Sequence, residues 1–204
     1  MPAVLLLGAV LALDATVLDN DYVRVIRGGA PCAAAGPGCG DRVLVALGPI
    51  ELQQNGKYGQ DRKPRKLSRG EIAVFEAGRK YAPPSKGDYA EVAFKTERPR
   101  VQSPEELIPP EKNAILYDGE RLFVFEEKLE PGDTRERHSH SQRVVIVINE
   151  TRLQQWPEGS PEIFKDQVPD TIKFNEPVIH VVKNVGGKPL RNIVIELKPE
   201  QIRN

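Results

Sequence analysis

The chain contains only three histidines, and their spacing is its first feature with chemical content. His138 and His140 stand one residue apart in PGDTRERHSHSQRVVIVINE, just before a β-branched run. Side chains on a strand alternate faces with a period of two, so imidazoles at this spacing converge on one side. His180, in PVIHVVKN, belongs to a later β-rich segment that can return beside the first. Three imidazoles meeting at one point would supply one triangular face of a divalent metal's coordination sphere. Because all three are neutral, a bound ion would keep its full charge and about half of an octahedral sphere open, which favours an anionic, bidentate guest. Arg135, Arg137, Arg143 and Lys183 lie close to these residues in sequence. The three arginines are odd-numbered and the paired histidines even, so an unbroken strand would turn the arginines out to solvent. Gln142, in phase with the histidines, is the nearby polar side chain on their face. Gln154 and Trp156, on the following strand, are expected to line a cavity mouth, although a tryptophan is more often core.

The elements that position these residues read as short strands. Aromatics are sparse, 17 glycines and 18 prolines punctuate the chain, and the apolar residues fall in brief β-branched runs, the profile of a many-turned β protein. The chain also echoes itself. LDNDYVRVIR (Leu18 to Arg27) matches YDGERLFVFE (Tyr117 to Glu126), and DRVLVALGPIEL (Asp41 to Leu52) matches QRVVIVINETRL (Gln142 to Leu153) without a gap. FEAGRKYAPPSKG, from Phe75, then matches FNEPVIHVVKNVGG, from Phe174, and AEVAFK echoes NIVIELK. Between the halves, Thr96 to Asn113 holds four prolines and no usable periodicity, as a linker does. The expected organisation is an N-terminal barrel over 16–95, a Pro-rich linker over 96–113 and a second barrel over 114–204. Many short strands with regular turns suit a closed or double-sheet architecture better than an open sheet.

Gly132, five residues, His138, one residue, His140 resembles the first cupin motif, and His180 with Asn184 resembles the end of the second. The resemblance runs over nearly all of residues 16–198. It implies an all-β fold of two tandem cupin-type jelly-roll β-barrels, the C-terminal one holding a divalent metal on His138, His140 and His180, with Asn184 near the site. The departures are also informative. The family's glutamate would fall at Val144 or Val145, and the second motif's glycine falls at Val178. In the N-terminal half the gapless match puts Pro37 and Cys39 opposite the paired histidines and Tyr81 opposite His180, so no ligand set is expected there. Three-histidine cupins resemble this arrangement in thiol, gentisate and β-diketone dioxygenases. That likeness implies Fe(II) first, with Zn, Mn, Ni or Cu as alternatives, and a small chelating substrate. The competing reading is a non-catalytic small-ligand-binding or structural bicupin.

Charge and termini bound the partners. The 29 basic and 29 acidic side chains cancel without long blocks, which argues against a nucleic-acid-binding surface or a polybasic membrane anchor. A small molecule is the expected partner, and pairing with a second copy stays open. The uncharged apolar stretch from Ala3 to Leu13 is too short for a membrane span and fits two readings over residues 1–15, a secretory signal peptide or a first strand. Cys32 and Cys39, in a loop of small residues, fit a disulfide in a periplasmic or secreted protein and two unpaired small hydrophobes in a cytoplasmic one.

Overall fold

The alternating runs pair as antiparallel strands throughout, in a computed structural model that describes residues 15–29, 40–55, 61–79, 81–84, 86–99 and 113–199. The apolar stretch before Ala15, the loop bearing Cys32 and Cys39, and most of the Pro-rich linker lie outside the described residues. Among the described residues there are 16 strands and no helix, so none is long and apolar enough to cross a membrane as a helix.

In the N-terminal half, β1 (Ala15–Asp19), β2 (Val23–Arg27), β3 (Arg42–Ala46), β6 (Ile72–Phe75) and β7 (Tyr89–Phe94) form a sheet in the order β1-β2-β7-β3-β6. A hairpin of β4 (Ile50–Asn55) and β5 (Asp61–Leu67) faces it. In the C-terminal half, β8 (Asn113–Asp118), β9 (Leu122–Leu129), β11 (Arg143–Val147), β14 (Ile172–Asn175) and β16 (Leu190–Leu197) form a sheet in the order β14-β11-β16-β9-β8. The opposing sheet runs β10-β15-β12-β13, built from β10 (Thr134–His140), β12 (Thr151–Pro157), β13 (Ile163–Gln167) and β15 (Val178–Asn184).

The two five-stranded sheets have the same order once β1, β2, β7, β3 and β6 are matched to β8, β9, β16, β11 and β14. Register refines the sequence echo at one place. Phe75 pairs with Arg42, whereas Asn175 pairs with Arg143, so Phe75 corresponds to Asn175 and the match that begins at Phe75 and Phe174 is one residue out of step. The strands β10 and β15, which carry the histidines, have no paired counterpart strands among the described N-terminal residues. An isolated bridge from Gln53 to Ala82 stands where such pairing would be.

Alternation divides each five-stranded sheet between two cores. Val23, Val25, Val43, Val45, Val92 and Phe94 on one sheet pack in a single buried cluster with Leu122, Val124, Val144, Ile146, Ile195 and Leu197 on the other. These are equivalent positions of the two halves, so the contact is a near-twofold match of one face to its own copy, as in an isologous interface. Each such side chain contributes roughly 1.5–3 kcal/mol on full burial, which makes this face the main bond between the halves. Tyr22 stacks on Phe174 at a centroid distance of 5.9 Å across the same seam, and Arg69 bridges it by donating to the Ile148 carbonyl at 2.8 Å.

The inner faces differ. Inside the N-terminal half, Leu44, Ala46, Ile50, Leu52, Leu67, Ala73, Tyr81 and Tyr89 fill the space. Tyr81 donates to Glu91 and stacks on Phe75, and Arg42 lies over both rings, so the polar groups there are bound to one another. Inside the C-terminal half only Leu129, Leu153, Val182 and Leu190 cluster, and a cavity of about 320 Å³ remains.

Candidate metal centre

A glycine and a bulge aim β10 into that cavity. Gly132 adopts φ 88°, a left-handed conformation that costs other residues about 1 kcal/mol or more, and its N–H donates to the Asn184 carbonyl at 2.8 Å to tie the start of β10 to β15. Along β10, Arg135 pairs with Val182 but His138 pairs with His180, so three residues of β10 oppose two of β15. Such a bulge flips the side-chain phase. Arg135 and His138, of opposite parity, therefore both point inward.

This bulge corrects the outward placement expected for the arginines. Arg135 is fully buried and its Nη1 meets Glu127 Oε1 at 2.5 Å, while Nη2 donates to Asn113 Oδ1 at 2.8 Å. Arg143 begins a new strand after the Ser141–Gln142 turn, so its phase is not inherited from β10, and it too is buried and lines the cavity. Arg137 alone of the three faces solvent, against Glu158.

His138, His140 and His180 are 1%, 3% and 7% exposed, and one ring nitrogen from each lies within 4.8 Å of the others. His138 Nδ1–H donates to the Glu136 carbonyl at 2.7 Å, and His140 Nδ1–H donates to the Glu196 carboxylate at 2.5 Å. These acceptors fix the tautomers and leave both Nε2 lone pairs facing each other at 3.1 Å. His180 Nε2 is buried without a hydrogen-bond partner. Three converging imidazole nitrogens are an arrangement that a cation satisfies, so the residues fit a metal ion. Burial lowers all three imidazole pKa values, that of His180 to about 2, with neighbouring rings and arginines adding to the effect. The rings are therefore neutral at pH 7, the form that ligates.

Two carboxylates support the site from β9 and β16. Burial, partly opposed by Arg143, raises Glu196 to about 7. Burial also opposes ionisation of Glu127, but Arg135, the two nearby histidines and the Asn192 hydrogen bond together outweigh it and hold that carboxyl below its ordinary value. Glu127 Oε2 further accepts from Asn192 at 3.1 Å.

The other side chains singled out in the sequence sit elsewhere. Gln142 lies in a groove with Asp21, Tyr22, Arg98 and Pro177, and its amide donates to Glu176 at 2.9 Å. On β12, Leu153, Gln155 and Pro157 line the cavity, so Gln154 and Trp156 occupy the opposite phase, with Gln154 donating to Glu162. Asn184 is fully buried but structural: it accepts from Thr151 and the Gly186 N–H and donates to the Leu129 and Lys188 carbonyls. Sequence reasoning missed Glu127, Glu196, Gln155, Lys165 and Lys173. A signal existed for Glu196, the lone charge inside the apolar run NIVIEL. Of Val144 and Val145, where the cupin motif would put its glutamate, Val145 lines the cavity and Val144 faces the shared core, and Val178, at the motif's glycine position, lines the cavity too.

The chain matches no family model and no curated protein. Solved structures do match. A cupin 2 conserved barrel domain protein from Leptotrichia buccalis aligns over 91% of this chain and 88% of its own, at TM-score 0.51 and 11% identity. The oxalate decarboxylase of Bacillus subtilis aligns over 87% of this chain and 68% of its own, at TM-score 0.53 and 12% identity. This chain has the bicupin fold. AerE from Microcystis aeruginosa is similar over 91% of this chain and 97% of its own, at TM-score 0.50 and 13% identity. At 11–13% identity the likeness is one of fold, and the chemistry rests on the residues of this chain.

Proposed function

We propose that the C-terminal barrel binds one divalent metal ion on His138, His140 and His180 and acts on a small anionic, chelating substrate, with ferrous dioxygenase chemistry as the leading form. The observation that carries this reading is the convergence of three neutral, buried imidazoles, with Val145 where the family's glutamate would stand. When bound, such an ion supplies a Lewis acid with open positions and, if it is iron, redox chemistry with O₂. The protein's own groups orient and exclude. The Glu136 carbonyl and the Glu196 carboxylate hold two rings in the ligating tautomer, and Val145, Val147, Val182 and Val194 supply the apolar part of the cavity wall. The oxalate decarboxylase of similar fold has Mn(II) centres, so manganese is the alternative metal to measure.

Residues 16–95 are read as a barrel that keeps a packing role, and residues 1–15 keep two readings, a signal peptide or an N-terminal strand. A second reading, a non-catalytic binding protein, is favoured by the filled interior of the N-terminal half. Elemental analysis of untagged protein, followed by anaerobic Fe(II) loading and an O₂-uptake screen with small carboxylates, diketones, thiols and catechols, separates the two. Stoichiometric metal with turnover supports the enzyme. Stoichiometric metal that raises the melting midpoint without turnover supports the binding protein. Absence of metal overturns both.

A further inference from the structure

The cavity that His140 and His180 line is also lined by three cations, Arg143 on β11, Lys165 on β13 and Lys173 on β14. Register places the lysines. Lys173 pairs with Val145 and Lys165 with Leu153, both cavity-lining residues, so two edge strands bring ammonium groups to the same opening. Neither lysine has a hydrogen-bond or ion-pair partner in the described structure. Arg143, 7% exposed, donates from Nη1 to the Ser141 and Glu176 carbonyls at 3.1 and 3.0 Å and pairs with no carboxylate.

The acids that share the cavity are occupied. Glu127 is tied to Arg135, and Glu176 accepts from Gln142. Glu196, opposite Arg143 in the sheet, is bonded to His140. Arg143 is buried and feels Glu196 and Glu127 without forming an ion pair to either, and the two exposed ammonium groups add positive charge at the same opening. Burial, then Lys173 and Arg143, lower the pKa of Lys165, as expected of cations that crowd one space.

We propose that the cavity binds a small dicarboxylate, one carboxylate lying toward the imidazoles and Arg143 and the other held by Lys165 and Lys173. The proposal rests on the functional reading above and adds the second anionic group. In effect the ligand brings the acid that the chain lacks at Val145, beside Lys173. The volume of about 320 Å³ is at the lower end of ligand pockets, which fits a molecule of a few carbons.

The test measures binding of malonate, succinate and glutarate against monocarboxylates of equal length, by calorimetry on the full chain, both metal-loaded and chelator-treated. The expected result is a preference of about tenfold or more for at least one dicarboxylate, the worth of one charge-assisted hydrogen bond. In the chelator-treated protein the preference should persist, because Arg143 and the lysines remain. Lys165→Met with Lys173→Met should reduce it to about twofold or less, and the corresponding double arginine variant should restore it. Metal stoichiometry should not change in either variant. Equal binding of mono- and dicarboxylates, or a preference that survives the double Met variant, overturns the proposal. So does tighter binding of inorganic phosphate than of every dicarboxylate. Failure to bind metal, with the lysine-dependent preference intact, would instead sink the functional reading alone.

Discussion

At the scale of single residues, Glu127, His138 and His140 each have a partner that fixes a charge or a tautomer. Glu196 is a positioning residue, since it reaches the candidate metal only through His140. Glu196→Gln should weaken metal affinity about 10–100-fold while leaving one ion per chain, as measured by competition with a chromophoric chelator. His180→Ala should abolish stoichiometric loading. Arg135 and Glu127 make a different kind of pair, buried and behind the histidines. Arg135→Ala should cost about 3–5 kcal/mol in urea unfolding, because it strands a buried carboxylate, and combining it with Glu127→Gln should recover much of that loss. The sign of the pH dependence follows from the same pair. Glu127 has a folded pKa below its ordinary value, so its stabilisation is present above about pH 4.5 and is lost as pH falls through the folded value. Glu126, which burial opposes but Lys128 and Arg191 together hold low, acts in the same direction. Stability measured by urea melts from about pH 4.5 to 3 should therefore fall, and fall less steeply in the Arg135→Ala, Glu127→Gln double variant.

At the scale of elements, the glycine and bulge of β10 decide where the chemistry faces. Gly132→Ala should destabilise by about 1 kcal/mol through its left-handed φ alone, since a Cβ there meets no neighbour within 4 Å. Thermal melts and metal content together would show a lower midpoint with the ligands still competent. This element also shows what the sequence could and could not disclose. The period-two spacing of His138 and His140 and the preceding glycine were legible because they are local. The fate of Arg135 was not, because one inserted residue reverses parity and nothing in RERHSH marks where the insertion sits. Gln154 and Trp156 show the same limit, since the phase of β12 is set by its pairing with β15 and not by its composition. Lys165 and Lys173 read as ordinary solvated charges until β13 and β14 are placed at one opening. The repeat was visible through Val23, Val25, Val43 and Val45 and their echoes, because an apolar face must be kept wherever it is buried.

At the scale of the whole molecule, the shared core predicts one folding unit. Val45→Ala, far from the imidazoles, should cost about 1–3 kcal/mol and lower a single calorimetric transition that includes the metal-bearing half. Two separate transitions would contradict this. The near-twofold seam also explains how the halves came to differ. Its residues point away from both interiors, so the N-terminal interior could fill with Leu44, Ile50, Leu52 and Tyr81 while the outward valines stayed as they were. A severed C-terminal half would therefore present a wall already suited to its own twin. Expressed alone, it should come off a sizing column as a symmetric pair with two three-histidine clusters where the intact chain has one.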